Sequence, residues 1–335
     1  MRNCILAIES SCDDSSLAII NKDDLSLVFE SKISQEKEHS KYGGVVPELA
    51  SRLHTSALAK ILEHCKQHFD RLCAVAVTNE PGLTVSLIGG IIMAKTLALS
   101  LCLPLIAINH LRGHIYSLFL NEEAKFDMGV LLVSGGHTML FYIDEKARIN
   151  LIAQSSDDSF GESFDKVAKM MNLGYPGGVV IENLALKAKH KNLKFTVPLS
   201  STKELKYSFS GLKNQVRLEL LKHKILDEST KSEVAFAFEE AAISHIMQKL
   251  SLAFKKYNFK KFGIVGGASA NLKLRSKVQE LCDSYKCELK LAPLKYCSDN
   301  ALMIARAACV AYTNKDFVDI SEDIMHSKNT NFNFV

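Results

Sequence analysis

One arrangement of strands occurs twice in this chain of 335 residues, and it restricts the available folds more than any other feature of the sequence. Residues 5–20 hold an apolar run, a short polar turn and a second apolar run, and residues 130–143 repeat this order. Further apolar runs that alternate with helical patterns follow both copies. In each copy we expect a buried strand to enter the turn and a second strand to leave it. The pattern therefore predicts an α/β protein that is built from two related halves.

Short apolar runs and helical periodicity give the expected elements of each half. Strands are predicted at residues 5–8, 17–20, 27–33, 74–77 and 105–108, and again at residues 130–134, 139–143, 150–154, 262–265 and 289–291. Helices are predicted at about residues 47–68, 83–101, 233–257, 271–282 and 299–312. Two such halves, each with a phosphate-facing hairpin, are typical of the duplicated actin-like ATPase (ASKHA) fold, in which two lobes enclose a nucleotide cleft.

The boundary between the two lobes is expected near the middle of the chain. Residues 1–125 are predicted to form the N-terminal actin-like lobe, and residues 126–335 the C-terminal one. Residues from about 176 to 232 break the alternation and are rich in lysine and in loop residues. They are predicted to be an inserted helical and loop subdomain of the C-terminal lobe.

The composition is typical of a globular protein, since 47% of the residues are hydrophobic and 23% are charged. The net charge of +4 is too small to indicate nucleic-acid binding by itself, although it permits a local basic face. Nine cysteines without a Cys-x-x-Cys pair argue against a disulfide framework and favour the cytoplasm, which is reducing. The amino terminus lacks the apolar length of a signal peptide.

Residues 83–108 are almost wholly apolar and as long as a membrane span. Lys95 lies near their centre, and Gly89, Gly90 and Pro104 interrupt them. No basic or aromatic belt flanks the stretch. We therefore expect a buried helix followed by a buried strand, and no membrane association.

His110 and His114 follow the strand predicted at residues 105–108, at the edge of the sheet where α/β proteins usually bind ligands. Two imidazoles four residues apart lie on one face of a helix and can bind one metal ion. They can equally be ordinary histidines of a helical turn. Asp299, near the start of the last predicted helix, is either a helix cap or the third ligand that a metal site needs.

Two glycine turns could bind anions. Residues 134–136, Ser-Gly-Gly, follow a buried strand, and a positive φ at the glycines would direct amide hydrogens at a phosphate, although any tight hairpin could use these residues. A second turn begins at Gly266 and leads into a helix. Its amides can bind an anion or a ribose, unless Ser269 or Asn271 merely caps the helix.

A third glycine turn spans residues 174–178, downstream of Asp165. Its glycines would let the backbone approach a flat ligand, and Asp165 can accept hydrogen bonds from ribose hydroxyls. A surface turn and a helical salt bridge would explain the same residues equally well.

Nine blocks carry a further signal, and they are IESSCDD at residues 8–14, HSKYGGVVPELASRLH at 39–54, TNEPGL at 78–83, NHLRGH at 109–114, LVSGGHT at 132–138, SFGESFDK at 159–166, YSFSGLK at 207–213, GGASAN at 266–271 and YCSDN at 296–300. In content and order these blocks resemble the tRNA N6-adenosine threonylcarbamoyltransferase family, called TsaD in bacteria, over nearly the whole chain. Val179 departs from the family pattern, which has a proline there, while the glycines before it are retained.

The resemblance implies roles for residues in these blocks. It implies that His110, His114 and Asp299 bind a divalent metal ion, with Fe²⁺ expected and Zn²⁺ or Mg²⁺ as alternatives. It also implies a pocket for threonylcarbamoyl-adenylate, lined by Leu132, Val133, Ser134, Gly135, Gly136, Asp165, Gly178 and Asn271. Glu182 stands where some relatives have an aspartate ligand and is added to that set. No role follows for the YSFSGLK block.

The reaction so implied transfers the threonylcarbamoyl group to N6 of the adenosine at position 37 of tRNAs that read codons beginning with A, and it releases AMP. The attacking amine must lose a proton, so a general base is expected near the first hairpin, with Asp13 and Asp14 as candidates. The resemblance further implies a TsaB-like paralogue as heterodimer partner, a TsaE-like ATPase and a TsaC-type synthase. Lysines cluster at residues 187–194, 203–213 and 255–261; such clusters can contact tRNA phosphates, yet most are merely solvated.

Three other functions fit parts of the sequence. A small-molecule kinase of the actin-like fold would share both hairpins but would not need His110 and His114. A metalloprotease would use the histidines, yet the chain has no His-Glu-x-x-His motif. A non-catalytic nucleotide-binding subunit would bind the adenylate without requiring Asp299.

Overall fold

The computed structural model describes residues 2–325, and ten β-strands lie within this range. In the first half they are β1 (Cys4–Glu9), β2 (Asp14–Asn21), β3 (Leu27–Ser34), β4 (Leu72–Glu80) and β5 (Leu105–Asn109). In the second half they are β6 (Met128–Val133), β7 (Thr138–Ile143), β8 (Ile149–Gln154), β9 (Lys261–Val265) and β10 (Glu288–Leu291). They form two five-stranded sheets in the orders β3-β2-β1-β4-β5 and β8-β7-β6-β9-β10.

The two sheets repeat one topology. The first strand of each half pairs antiparallel with the second strand, and the second with the third. The fourth and fifth strands then continue the sheet in parallel from the first. All residues of β1, β4 and β6 are buried, which is why these strands contain apolar runs, although β1 and β4 end in polar residues. The predicted duplication and the predicted strands are thereby confirmed.

Between residues 2 and 325, ten α-helices connect and cover the strands. They are α1 (Glu36–Ser40), α2 (Pro47–Cys65), α3 (Thr84–Leu101), α4 (His110–Tyr116), α5 (Phe160–Met170), α6 (Gly177–Ala185), α7 (Ser210–Leu220), α8 (Glu228–Tyr257), α9 (Leu272–Ser284) and α10 (Ala301–Asn314). Four short 3₁₀ segments accompany them, at Lys66–Arg71, Ser117–Phe119, Gly267–Ala270 and Leu294–Tyr296.

The described residues form two compact units, each with its own apolar core. One unit holds the residues up to Ala124 together with those from Ser298 onward, and the other holds residues 125–297. The sequence places residues 298–325 in the C-terminal lobe, but α10 packs on β1 and β2 and so belongs to the first unit. Residues 176–232 contain α6 and α7. Their status as an inserted subdomain stays a prediction.

Helix α3 is long and apolar enough to span a membrane by length and composition, and it alone meets that test between residues 2 and 325. In the structure one face of α3 is buried with β4, through residues such as Leu87 and Ile91. The prediction of a buried helix therefore holds for that face only. Ile88, Ile92 and Leu99 on the other face are 39%, 59% and 68% exposed, because a helix that covers one side of a sheet buries a single stripe.

Candidate functional site

Helix α4 begins directly after β5, and its start is fixed by Asn109. The side chain of Asn109 accepts hydrogen bonds from the backbone amides of Leu111 (2.9 Å) and Arg112 (3.3 Å), which is a standard helix cap. His110 is therefore the first helical residue, and His114 lies one turn later on the same face. Both imidazoles are buried beside the end of the sheet, as the sequence predicts.

Asp299 joins the two histidines from the segment that precedes α10. Its Oδ1 lies 3.4 Å from Nε2 of His110 and 3.2 Å from Nε2 of His114. The three ligand atoms all lie within 4.8 Å of one another. The helix cap at α10 is Asn300, whose side chain accepts a hydrogen bond from Met303, so capping does not account for Asp299. Of the two readings of Asp299, the structure favours a ligand position.

A second carboxylate, which the sequence analysis did not identify, lies behind His110. Glu9 ends β1 and is fully buried, and its Oε2 lies 3.0 Å from Nδ1 of His110. The backbone amide of Ser11 and the hydroxyl of Thr78 each donate a hydrogen bond of 2.6 Å to Glu9. A carboxylate that accepts Nδ1–H fixes the tautomer of a histidine and leaves Nε2 to bind a metal.

The cluster attracts positive charge. Burial alone would lower the pKa of His110, but Asp299 and Glu9 beside it raise this pKa well above its ordinary value. Burial likewise would raise the pKa of Asp299, and His110 and His114 hold it well below its usual range. With neutral imidazoles the two carboxylates leave a net charge of −2, which a divalent cation balances.

The donor set fits a metal ion. Nδ1 of His114 has no hydrogen-bond partner within residues 2–325, although the side chain is completely buried, and Nε2 faces only Oδ1 of Asp299. A buried polar group without a partner costs about 1–3 kcal/mol, so a ligand is expected there. Two imidazoles and one carboxylate are borderline donors that suit iron or zinc better than magnesium.

We expect Glu9→Gln to weaken metal binding by about 10- to 100-fold, because a neutral amide is a weaker acceptor for Nδ1–H of His110 than a carboxylate and carries no negative charge. The change keeps the size of the side chain, so metal affinity measured in competition with a chelator should fall more than thermal stability. Glu48→Gln, at an exposed position in the first turn of α2, is the matched control and should leave metal affinity unchanged. Equal affinity in the Glu9 and Glu48 variants would contradict this role.

Of the two candidate bases, Asp14 has a pKa in a suitable range. Burial raises the pKa of Asp14 to about 6, against the opposing effect of Lys32. Nζ of Lys32 donates to Oδ2 of Asp14 (2.5 Å), to Oγ of Ser298 (3.0 Å) and to the backbone oxygen of Asp299 (3.0 Å). Lys32, which the sequence analysis missed, thus links the first hairpin to the segment that carries Asp299. Asp13 is the neighbouring residue in that turn.

The turn between β6 and β7 contains the Ser-Gly-Gly sequence. Ser134 closes it, since its amide donates to the oxygen of His137 (2.9 Å). The predicted positive φ at Gly135 and Gly136 is wrong, because Gly266 is the glycine of this unit with a positive φ. Both glycines of the turn are exposed, and a Cβ at either would meet no protein atom within 4 Å. Neither the backbone conformation nor a protein contact therefore requires glycine at these two positions.

The first turn of helix α5 contacts this turn through hydrogen bonds. Ser159 caps α5, accepting from the amide of Glu162 (3.0 Å), and its hydroxyl donates to the oxygen of Gly135 (2.7 Å). Gly161, in the first turn of α5, donates its amide to the oxygen of Ser134 (3.2 Å), and a Cβ there would lie 2.5 Å from that oxygen. Leu132 and Val133, at the end of β6, are buried and lead into the turn.

Hydrogen bonds join Asp165 and Glu182, two of the remaining predicted ligand residues, to the starts of neighbouring helices. Oδ1 of Asp165 in α5 accepts from the amide of Gly177 (2.7 Å), the first residue of α6. A Cβ at Gly177 would clash with the backbone of α5, which explains the glycine at this position. A Cβ at Gly178 would meet no protein atom within 4 Å. Oε1 of Glu182 in α6 accepts from the amide of Leu272 (2.9 Å), the first residue of α9.

Asn271 is the cap of α9, which is one of the two readings that the sequence leaves open. Its Oδ1 accepts from the amide of Leu274 (2.8 Å), and its Nδ2 donates to Oε1 of Glu239 (3.0 Å). Glu239 is buried in α8, and Lys273 donates to its other oxygen (3.1 Å). Sequence analysis missed Glu239, because one acid within a long amphipathic helix gives no local signal. Its contact fixes which way the Asn271 amide points.

The YSFSGLK block at residues 207–213 is fastened to the loop that precedes α5. Asp157 accepts from the amide of Phe209 (2.8 Å) at the start of α7, and Asp158 accepts from Nζ of Lys213 (2.6 Å). These two acids directly precede the cap residue Ser159, which holds the glycine turn. The structure thus gives the block a supporting role that its sequence does not reveal.

Comparison with known proteins agrees with this geometry. Residues 26–306 match the family described as "TsaD: tRNA N6-adenosine threonylcarbamoyltransferase". A protein named tRNA N6-adenosine threonylcarbamoyltransferase from Campylobacter jejuni is 67% identical over 332 residues, with 99% of both chains covered. A relative of the same name from Campylobacter curvus is 59% identical, with 95% of this chain and 97% of the relative covered.

Solved structures of low sequence identity share the fold. Full-length HypF, in a phosphate- and nucleotide-bound form, matches with a TM-score of 0.63 at 13% identity, over 97% of this chain and 57% of HypF. The activator of the 2-hydroxyisocaproyl-CoA dehydratase from Clostridium difficile, solved with ADPNP, gives 0.51 at 15% identity, over 96% of this chain and all of the activator. The actin-like fold predicted from the two hairpins is thereby confirmed.

Proposed function

The chain belongs to the tRNA N6-adenosine threonylcarbamoyltransferase family, and from that premise we propose that it transfers a threonylcarbamoyl group from threonylcarbamoyl-adenylate to N6 of an adenosine in tRNA, with release of AMP. The family match covers most of the chain, and the relatives align over their whole length. We further propose adenosine 37, beside the anticodon, as the target. Such a base lies in a loop and can enter a pocket without melting a duplex.

The observation that carries the proposal is the cluster of His110, His114 and Asp299. Asp299 is more than 180 positions from both histidines in the chain, yet the ligand atoms of all three residues lie within 4.8 Å of one another. A kinase of the same fold has no use for this set, and a protease would need a general base between the histidines. We propose that the cluster binds Fe²⁺, which two imidazoles and a carboxylate suit, with Zn²⁺ as the alternative. When bound, a divalent ion supplies stabilisation of negative charge that develops on a leaving phosphate.

We assign the adenylate to the residues of the second unit. The exposed amides of Gly135 and Gly136 would donate to phosphate oxygens, which is the use of such a turn after a strand. Asp165 and Asn271 would bind the nucleoside, each held in position by a hydrogen bond to its own unit. Preorganised donors of this kind orient an acyl group without reorganisation during the reaction.

Asp14 is proposed as the general base, since the amine of adenosine must lose a proton as it attacks. A base must be ionised, so with a pKa of about 6 for Asp14 the value of kcat should be full above pH 7 and fall tenfold per pH unit below about 6. Asp14→Asn should lower kcat by about 10²-fold or more and remove this acid limb. Asp13→Asn is the control and should keep the limb. An unchanged acid limb in the Asp14 variant would assign the base elsewhere.

Gly178→Ala should separate ligand contact from stability. A methyl group at Gly178 meets no protein atom within 4 Å, and alanine in a helix stabilises the fold by up to about 1 kcal/mol. If the adenylate lies against this glycine, overpacking of about 1–3 kcal/mol should raise KM for the adenylate about 10- to 100-fold. Gly211→Ala is a matched control, because Gly211 is also the second residue of a helix with open space around it. Equal KM values in both variants would exclude contact at Gly178.

The function is tested by reconstitution. Threonine, bicarbonate, ATP and tRNA are supplied with a TsaC-type synthase, a TsaB-like paralogue and a TsaE-like ATPase, which we propose as partners, and tRNA nucleosides are analysed by mass spectrometry. Threonylcarbamoyladenosine should form with the intact chain and not with His110→Ala. Full yield from His110→Ala, or none from the intact chain, would refute the proposal. We place this reaction in the cytoplasm, where its tRNA substrate is found.

A further inference from the structure

The connection between α6 and α7 is unusually long for a segment without regular structure. It runs over residues 186–209, and its one strand-like contact is an isolated bridge between Tyr207 and Ser155. Connections longer than about 12–15 residues without secondary structure are uncommon in compact domains and usually functional.

The backbone of this connection is nevertheless held in place by α7 and α8. Lys249 of α8 is fully buried, and its Nζ donates to the oxygens of Leu199 (3.1 Å) and Thr202 (2.9 Å). Gln215 of α7 exchanges two hydrogen bonds with the backbone of Thr196, of 2.8 and 3.0 Å. The middle of the segment, residues 196–202, is therefore fixed, and side chains that flank it are presented in a defined arrangement.

Many of those side chains are lysines. Between residues 187 and 206 there are six lysines and one acid, Glu204. Three of the lysines, Lys189, Lys194 and Lys203, are exposed and have no carboxylate within ion-pair distance in the part of the chain that the structure describes. Unpaired like charges on a fixed backbone repel one another, and a polyanion relieves that repulsion.

Lys191 connects this segment to the proposed adenylate residues. Its Nζ lies 4.9 Å from the ring centre of Phe236, and Nζ of Lys273 lies 4.8 Å from the same ring. Lys273 in turn pairs with Glu239, which holds the amide of Asn271. Lys191, near the start of the basic segment, is therefore connected through Phe236, Lys273 and Glu239 to Asn271, which is proposed to bind the adenylate.

We propose that residues 186–209 form the surface that binds phosphate groups of the RNA substrate. This inference rests on the proposed function, which supplies a polyanionic substrate. The lysines at residues 255–261 lie outside this segment and away from its Lys191 end. Lys255 and Phe236 both lie in α8, 19 residues apart, and at 1.5 Å per residue they are about 28 Å apart along the helix axis. Lys249, which binds Leu199 and Thr202, is nearer to Lys255, at about 9 Å along the same axis.

The test compares two variants with the same change in net charge. The first replaces Lys189, Lys194 and Lys203 by glutamine and keeps Lys191, which contacts the ring of Phe236. The second replaces three lysines of the other cluster by glutamine, namely Lys255, Lys256 and Lys260. The dissociation constant for substrate tRNA is measured as a function of salt concentration. In the first variant we expect the slope of the logarithm of the binding constant against the logarithm of salt concentration to fall in magnitude by about 2. We expect Kd for tRNA to rise on the order of tenfold, with KM for the adenylate unchanged.

The outcomes separate this proposal from its rivals. An equal loss in both variants would mean that overall charge, and not this surface, governs binding; no loss in the first variant would refute the surface directly. Binding of phosphatidylserine–phosphatidylcholine vesicles that depends on the three lysines, without such dependence for tRNA, would assign the surface to a membrane instead. The intact chain can also fail to modify tRNA while the salt dependence of its tRNA binding still requires the three lysines. That result would refute the proposed function and support the RNA-binding surface.

Discussion

His114→Ala is expected to abolish metal binding and to lower the rate of threonylcarbamoyladenosine formation by about a thousandfold or more. His114 is completely buried, its ring nitrogens have no other partner within residues 2–325, and its Nε2 is 3.2 Å from Asp299. Charge stabilisation by a metal ion contributes several kcal/mol, and each 1.36 kcal/mol is tenfold in rate. Metal content is measured after dialysis, and product by mass spectrometry.

The control for this change is His64→Ala, which removes an exposed histidine from α2. It should keep both the metal and the activity. Chelation of the unaltered protein should cause the same loss as His114→Ala, and chelation of the variant should cause no further loss. Retention of metal and activity by His114→Ala would show that the cluster is not the functional metal site.

Elements that bury apolar runs could be predicted from the sequence. Strand β4 is buried along its whole length, and its run of small and branched apolar residues specifies a strand between two layers. The histidine pair could be found because a four-residue spacing has a direct meaning on a helix. In contrast, the sequence places residues 298–325 in the wrong unit, because no local pattern shows that α10 packs on β1 and β2.

Residues that act through a distant partner could not be identified from the sequence. Glu9 and His110 are about 100 positions apart, and only the pairing of β1, β4 and β5 brings them into contact. Glu239 reaches Asn271 in the same way across two helices. Each of these acids is a positioning group for a residue that the sequence did identify. Sequence motifs thus identified the residues that are proposed to touch ligands, and tertiary packing was needed to find those that orient them.

Gly266→Ala is expected to destabilise the second unit by roughly 2 to 6 kcal/mol. Gly266 follows β9 with a φ of +91°, a region in which other residues are strained by about 1–3 kcal/mol. A Cβ there would also lie 2.3 Å from the backbone oxygen of Val133, so β6 or β9 would have to shift, which adds about 1–3 kcal/mol. Both strands pair up to this point, through Leu132 and Val265.

Gly44→Ala separates the two causes, since Gly44 has a φ of +151° but no atom within 4 Å of a Cβ. It should cost only the strain of about 1–3 kcal/mol. Urea unfolding measures the effect of Gly266→Ala on the free energy of unfolding. Hydrogen exchange of the backbone amides in β6 and β9 measures its effect on these two strands. Because Val133 leads directly into the turn at Ser134, KM for the adenylate should rise in that variant under conditions where it is still folded. An adenylate KM that stays unchanged while the strands lose protection would mean that the turn does not depend on this contact.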